Sequence, residues 1–177
     1  MASDPANTDD YHLRFGGIER LYGRKALHAF RHAHIAIVGL GGVGSWAAEA
    51  LARSGIGTIT LIDMDDICVS NTNRQLHALQ GQYGRTKTDA MAERLRAINP
   101  QADIRVHFGF LTVKNVGELI TEDMTGVVDA IDSVKAKAAL IAHCQRRKIP
   151  IICAGGAGGQ MDPAQIQVAD LAKTTQD

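Results

Sequence analysis

Along this chain, apolar residues alternate between short unbroken runs and stretches where they recur at helical spacing. The run HIAIV, residues 34–38, ends in GLGGVG and leads into SWAAEALARSG, where Val43, Ala47, Ala50, Leu51 and Ser54 share a helical spacing and Gly55 stands as the stop. TITLI then gives a second run, closed by Asp63, which completes a strand–helix–strand unit of the length a right-handed parallel crossover needs. Thr86 to Ile98 predicts another helix, with Met91, Leu95 and Ile98 on one face and Asn99-Pro100 as the break. DIRVHF, GVVDAID and IPIICAGG read as three further strands, with an apolar-faced helix from Val134 to Arg147 between the last two, and QIQVADL is expected to add one more strand. Residues 11–31 read as a basic helical prelude. Strand and helix alternate throughout, which predicts an α/β fold: a Rossmann-like, open, mostly parallel sheet with helices on both faces.

Composition narrows the picture. With 177 residues and 45% apolar content the chain can bury a full core, and residues 11–177 read as one domain behind a disordered arm at 1–10. Nineteen basic and nineteen acidic residues cancel, so any polyanion site must be local. MASDPANTDD has neither the basic nor the apolar region of a secretory signal, and no apolar run is long enough to span a bilayer. Cys68, Cys144 and Cys153 stand far apart without a CxxC pair, so a structural zinc and a disulfide framework are not expected. The expected setting is reducing and cytoplasmic, with no membrane partner.

The candidate chemistry begins in the glycine loop. Gly39, Gly41 and Gly44 fit GxGxxG between a strand and a helix, with Gly42 in the same loop, and backbone N–H groups there face phosphates. Asp63 follows nineteen residues after Gly44 at the next strand end, where a carboxylate can accept from ribose hydroxyls. To this point an NAD enzyme fits equally well, and tight turns with close helix packing explain the glycines alone. Arg74 and Lys87 add two cations near one strand end, which points to a triphosphate rather than a pyrophosphate bridge. Asp132, at the end of VVDAID, can hold Mg²⁺ against phosphate oxygens at the same edge. Taken singly, Asp132 also reads as a helix N-cap and Lys87 as solvated surface.

GLGGVG, DMDD, SNTNRQ, Lys87 in GRTKTDA, and DAIDS together resemble the adenylating domain of the ubiquitin-activating-type superfamily, over residues 14–172. Within it, RFGGIERLYG, LIDMDDICVSNTNRQLHAL and GGAGGQMDPAQIQVADLAKT are similar to the bacterial tRNA threonylcarbamoyladenosine dehydratase family. The resemblance implies an ATP site in which Asn71, Arg74 and Gln75 hold the triphosphate, Asp63 the ribose, Lys87 phosphate oxygens and Asp132 Mg²⁺, with Asp65 near the same pocket. Arg74, Lys87 and Asp132 would carry the chemistry. The implied reaction is attack of a tRNA-borne threonyl carboxylate on the α-phosphorus of ATP, followed by ring closure that expels AMP. The implied partners are tRNA, a second copy of the chain, and a sulfur-acceptor or cysteine desulfurase protein. An activator of a small sulfur-carrier protein is the alternative, and a nucleotide-dependent docking module without turnover a third reading.

The match has gaps. Many members of the superfamily carry RYxR near the N-terminus, and Gly17 occupies its second arginine, with Arg20 one helical turn on as a substitute. The missing CxxC pairs depart from the sulfur-carrier activators, and the family continues past Asp177, where tRNA-binding residues are expected. His28 and His32 stand four apart on a helix without a third ligand and read as surface. His77 reads as a packed loop histidine or a proton-transfer group. Gly155, Gly156, Gly158 and Gly159 read as a turn that the resemblance places near the substrate carboxylate. Cys144 and Cys153 read as structural, and Cys68 lies closer to the pocket.

Overall fold

The computed structural model describes residues 5–156, 158–159 and 161–174. Two helices lead the chain, α1 (Pro5–Tyr22) and α2 (Arg24–His32). They are parted at Gly23, whose φ of 87° lies in the region that glycine enters without strain. Helix α1 begins at Pro5, ahead of the boundary at residue 11 expected from the sequence; proline suits a first helical turn, where its missing N–H has no partner to lose.

A sheet of five strands follows: β1 (His34–Val38), β2 (Thr58–Asp63), β3 (Asp103–Phe108), β4 (Gly126–Asp129) and β5 (Ile151–Cys153). Their order is β3-β2-β1-β4-β5, and every pairing is parallel. Such a sheet needs crossovers on its faces. Helices α3 (Gly44–Arg53) and α4 (Lys87–Ile98) cover one face, where Ala48, Ala52, Met91 and Leu95 pack on Ile37, Ile59 and Leu61. On the other face, α5 (Val116–Leu119) and α6 (Val134–Arg147) bring Val116, Leu140 and Cys144 onto Ala36, Val38, Ile62 and Val127. Thr86 caps α4 by accepting from Asp89 N at 3.2 Å. The strand order reverses between β1 and β4, so a crevice opens beyond their carboxyl ends, the place where ligands of open α/β sheets bind.

Three expectations need correction. QIQVADL forms no strand: Asp162 accepts from Ala164 N and Asp170 from Ala172 N, so each starts a short 3₁₀ turn instead, and Ile166 and Val168 are 79% and 101% exposed. The buried face of α3 is Gly44, Ser45, Ala48, Glu49 and Ala52, not the face read from Val43, Ala47, Ala50, Leu51 and Ser54. Small residues let the helix approach the sheet, and Glu49 is retained there because Arg94 and Arg53 pair with it. Finally, β4 stops at Asp129, so Asp132 lies in the following loop rather than at the strand end.

Candidate functional site

The glycine loop is shaped by backbone crowding. Gly39 N donates to Ile62 O at 2.9 Å, and a Cβ on Gly39 would lie 2.6 Å from Ala130 O, so the loop crosses tightly over β4. A Cβ on Gly44 would lie 1.8 Å from Gly39 O. Gly41 has open space before it, and the Arg74 side chain lies over Gly42, 3.2 Å from where its Cβ would sit. Gly39 and Gly44 thus serve packing, while Gly41 and Gly42 face the crevice and Arg74.

Asp63 fixes the loop to the end of β2. Its carboxylate accepts from Leu40 N at 2.6 Å and from Asp65 N at 2.8 Å. Lys87 is 5% exposed, which excludes the solvated-surface reading, and its Nζ donates to Asp65 Oδ2 at 2.6 Å. The polar stretch read in the sequence closes the same edge. Asn71 Oδ1 accepts from Cys68 N at 2.9 Å, and Arg74 Nη1 donates to Ser70 O and Asn73 Oδ1. Trp46 Nε1 donates to Arg74 O, and Leu76 N donates to Ser45 Oγ, so α3 holds the stretch against the glycine loop. Gln75 is buried, with Oε1 unpaired. Asp132 is exposed, and the N-cap of α6 is Ser133, so the cap reading of Asp132 fails.

His77 is 3% exposed, and neither ring nitrogen has a partner. Burial, reinforced by the Lys87 charge and opposed by Asp63, lowers its pKa from the ordinary 6.5 to about 4.

Sequence reasoning missed Asp129 and Lys137. Asp129 is wholly buried; it accepts from Lys137 Nζ at 2.7 Å and from Ile131 N at 3.0 Å, and Lys137 also donates to Ala154 O. This ion pair ties the loop carrying Asp132 to α6 and to the segment after β5. The first Asp of DAIDS was the available signal, but its lysine partner sits on a helix turn that spacing alone does not single out.

Other candidates stay apart. Tyr11 and Phe15 seat α1 against Gly55, with Tyr11 Oη donating to Gly55 O at 2.6 Å, and the Arg20 guanidinium lies over Gly16 and Gly17 of its own helix. The His28 and His32 rings lie tilted with centroids 4.3 Å apart, and among the described residues no three His, Cys, Asp or Glu side chains form a metal cluster. Burial raises the Cys144 thiol, and burial with the neighbouring Asp129 pushes Cys153 up to about 11, so neither is poised as a nucleophile. Cys68 is exposed. Gly158 and Gly159 lie in the turn beyond β5, near the same edge, while Ala157 and Gln160 fall outside the described residues. No helix among the described residues is long and apolar enough to cross a membrane.

Asp132 is exposed in the loop after β4, and Mg²⁺ takes one or two protein carboxylates and completes its shell with phosphate oxygens and water. The open space at Gly41, next to Gly42 and the Arg74 side chain over it, fits a phosphate chain.

Residues 17–174 match the ThiF family. The tRNA threonylcarbamoyladenosine dehydratase of Escherichia coli (strain K12) is 61% identical over 170 residues, covering 96% of this chain and 63% of that protein, so the chain spans less than two thirds of that relative's length. A crystal structure of the E. coli dehydratase, TcdA, superposes with a TM-score of 0.93 at 62% identity, covering 96% of this chain and 71% of that one. A structure of TcdA in complex with ATP gives 0.92 at 58% identity, covering 99% and 70%.

Proposed function

Since the chain belongs to the ThiF family, we propose that it is the nucleotide-binding part of an ATP-dependent dehydratase that cyclises threonylcarbamoyladenosine beside the tRNA anticodon. The observation that supports this most is the convergence of the Gly39–Gly44 loop, Asp63, Arg74 and Lys87 on one sheet edge, in a chain so similar to a dehydratase that binds ATP. The same similarity does not favour the sulfur-carrier activator.

The geometry suits each role. The two backbone bonds to Asp63 leave lone pairs of its carboxylate free for ribose hydroxyls. Arg74 over Gly42 and Lys87 on Asp65 present cations to the triphosphate, with Asn71 and Gln75 completing its cradle. Asp132 would ligate Mg²⁺, which neutralises phosphate charge when bound. The threonyl carboxylate attacks the α-phosphorus and pyrophosphate leaves. A nitrogen of the same side chain then attacks the activated carbonyl, loses its proton, and AMP leaves with the former carboxylate oxygen, so the substrate has lost one water. Intramolecular attack gains a large effective molarity, so the protein need only position and shield, and no cysteine nucleophile is required.

We extend the reading to a cytoplasmic homodimer. Tyr11 Oη of helix α1 donates to Gly55 O, ahead of β2, which supports a role for Arg20 toward the phosphates of another copy. A cysteine desulfurase or sulfur-acceptor partner is proposed from family resemblance and is tested by co-purification.

The test is mass spectrometry of nucleosides from tRNA carrying threonylcarbamoyladenosine, after incubation with ATP and Mg²⁺, using this chain and a chain of the relatives' full length. ATP-dependent loss of one water with release of AMP and pyrophosphate is expected. No change with either chain would move the reading to a carrier-protein activator or a docking module.

A further inference from the structure

The stretch from Ser70 to His77 leaves three buried side-chain atoms without a hydrogen-bond partner: Gln75 Oε1 and both ring nitrogens of His77. Unpaired buried polar groups cost stability, and each one calls for an explanation. This is not how the chain treats its other buried imidazoles. His34 has Asp123 on one nitrogen and Thr60 on the other, and His143 Nε2 bonds Ile120 O.

The surroundings of His77 show what its ring can meet. It borders a cavity of about 260 Å³ together with Gln82, Glu93 and Arg94. The charged groups that act on it are Lys87 of α4 and Asp63 of β2, while Glu93 and Arg94 on the cavity wall are drawn to Arg85 and Glu49. Lys87 is the notable neighbour. Its ammonium has three N–H donors, it is almost fully buried, and it spends one donor on Asp65. Ala90, one turn after Lys87 on α4, lines the same cavity as His77, so a buried ammonium with donors to spare and a buried imidazole with an unspent lone pair lie at the same end of that helix. Because the ring stays neutral down to about pH 4, that lone pair persists at neutral pH.

We propose that His77 is a positioning residue for Lys87: its unprotonated ring nitrogen accepts from the Lys87 ammonium once nucleotide phosphates draw that ammonium off Asp65, and so aims the remaining donors at the phosphates. The inference rests on the nucleotide reading of the site and adds a residue to it. A permanent protein partner would hold the lone pair away from Lys87, which accounts for the unpaired ring.

The test uses His77→Leu and His77→Gln in the full-length chain, each alone and with Lys87→Met. Thermal unfolding without ligand, calorimetric ATP binding and the rate of ATP-dependent AMP release are measured. Replacing an unpaired buried ring with an apolar side chain should hold the Tm or raise it by a few degrees, while ATP affinity falls about 10-fold or more. Gln keeps a neutral donor and acceptor and should recover most of that affinity. In the Lys87→Met background the His77→Leu effect should vanish. A lowered Tm with unchanged ATP affinity would overturn the proposal in favour of plain packing, as would an equal affinity loss with and without Lys87. A wild-type protein that binds no ATP would instead overturn the nucleotide reading itself, and the inference with it.

Discussion

His34, which opens β1, and His77, which lies beyond the opposite end of β2, are 6% and 3% exposed, yet they live in different chemical settings. His34 has Asp123 Oδ2 at 3.0 Å from one ring nitrogen and Thr60 Oγ1 at 2.8 Å from the other, whereas His77 has neither nitrogen bonded. The contrast extends to the two ends of the sheet. At the starting end, Tyr11, Thr125 and Gln101 find partners, and among the described residues only Asn99 Oδ1 is buried and unpaired there, while the Asn99 amide donates to Ile56 O. At the finishing end, Gln75 and His77 are unpaired, Lys87 is nearly buried on one partner, and Gly41 faces open space. One end is built to be complete within the chain. The other leaves polar groups that nucleotide would complete on the proposed reading, so stability is the natural readout of the first end and binding of the second.

The largest effect should come from Asp132→Ala. Asp132 is exposed and outside both core clusters, so circular dichroism and Tm should be unchanged, while Mg²⁺-dependent AMP release from the full-length enzyme falls by about 100-fold or more. Unchanged turnover would remove the metal role.

The glycine loop divides the same way. Gly44→Ala places a Cβ 1.8 Å from Gly39 O and should cost about 3 kcal/mol in urea unfolding. Gly41→Ala meets nothing within 4 Å and should leave unfolding unchanged yet weaken ATP binding, because its methyl occupies space facing the crevice. Equal stability losses for the two would mean that the loop serves packing alone.

At the complete end, His34→Leu strips the buried Thr60 of its partner and should destabilise by about 1–3 kcal/mol, with ATP affinity intact in the folded protein. A loss of affinity at full stability would dissolve the distinction between the ends.

The smallest effect is pH dependence. Between about pH 6.5 and 4 the unfolded chain takes up a proton that the folded chain refuses at His77, so stability is full above 6.5 and falls as pH drops through this window. Glu49, where burial pushes the carboxyl up but the Arg94 and Arg53 pairs together outweigh it, and Asp123, held down by Thr121 and His34, both lie below their usual range and add losses of the same sign at lower pH. The slope of the urea midpoint between pH 6.5 and 5 should therefore flatten in His77→Leu, and an unchanged slope would show that the ring protonates freely when folded.

Much of this was legible beforehand, residue by residue. The runs at 34–38 and 58–62 are strands because apolar and β-branched residues there are buried between two helical layers, while 103–108 pairs as an edge strand in which Ile104 alone is buried. Thr86 and Asn99-Pro100 mark both ends of α4. Gly39, Asp63, Arg74 and Lys87 were recognisable as a set, and the fold brings them to one edge. QIQVADL misled because Asp162 just before it and Asp170 within it cap local 3₁₀ turns, which take up the backbone that the alternation would have paired. The face of α3 misled because alanines lie all round the helix, so apolar spacing cannot say which of them meets the sheet.

The sequence by itself therefore determined the order of elements, the crossover lengths and the residue types able to hold phosphate, because these depend on local periodicity and turn chemistry. Tertiary structure alone decided that Asp129 would be buried on Lys137, that Glu49 would be buried between two arginines, and that His77 would be buried without a partner. Each of these is a partnership, or a refusal of one, between side chains distant in sequence or on different elements. Its energy depends on how much water packing removes from around the charge or the ring, and that quantity exists only once the layers have closed.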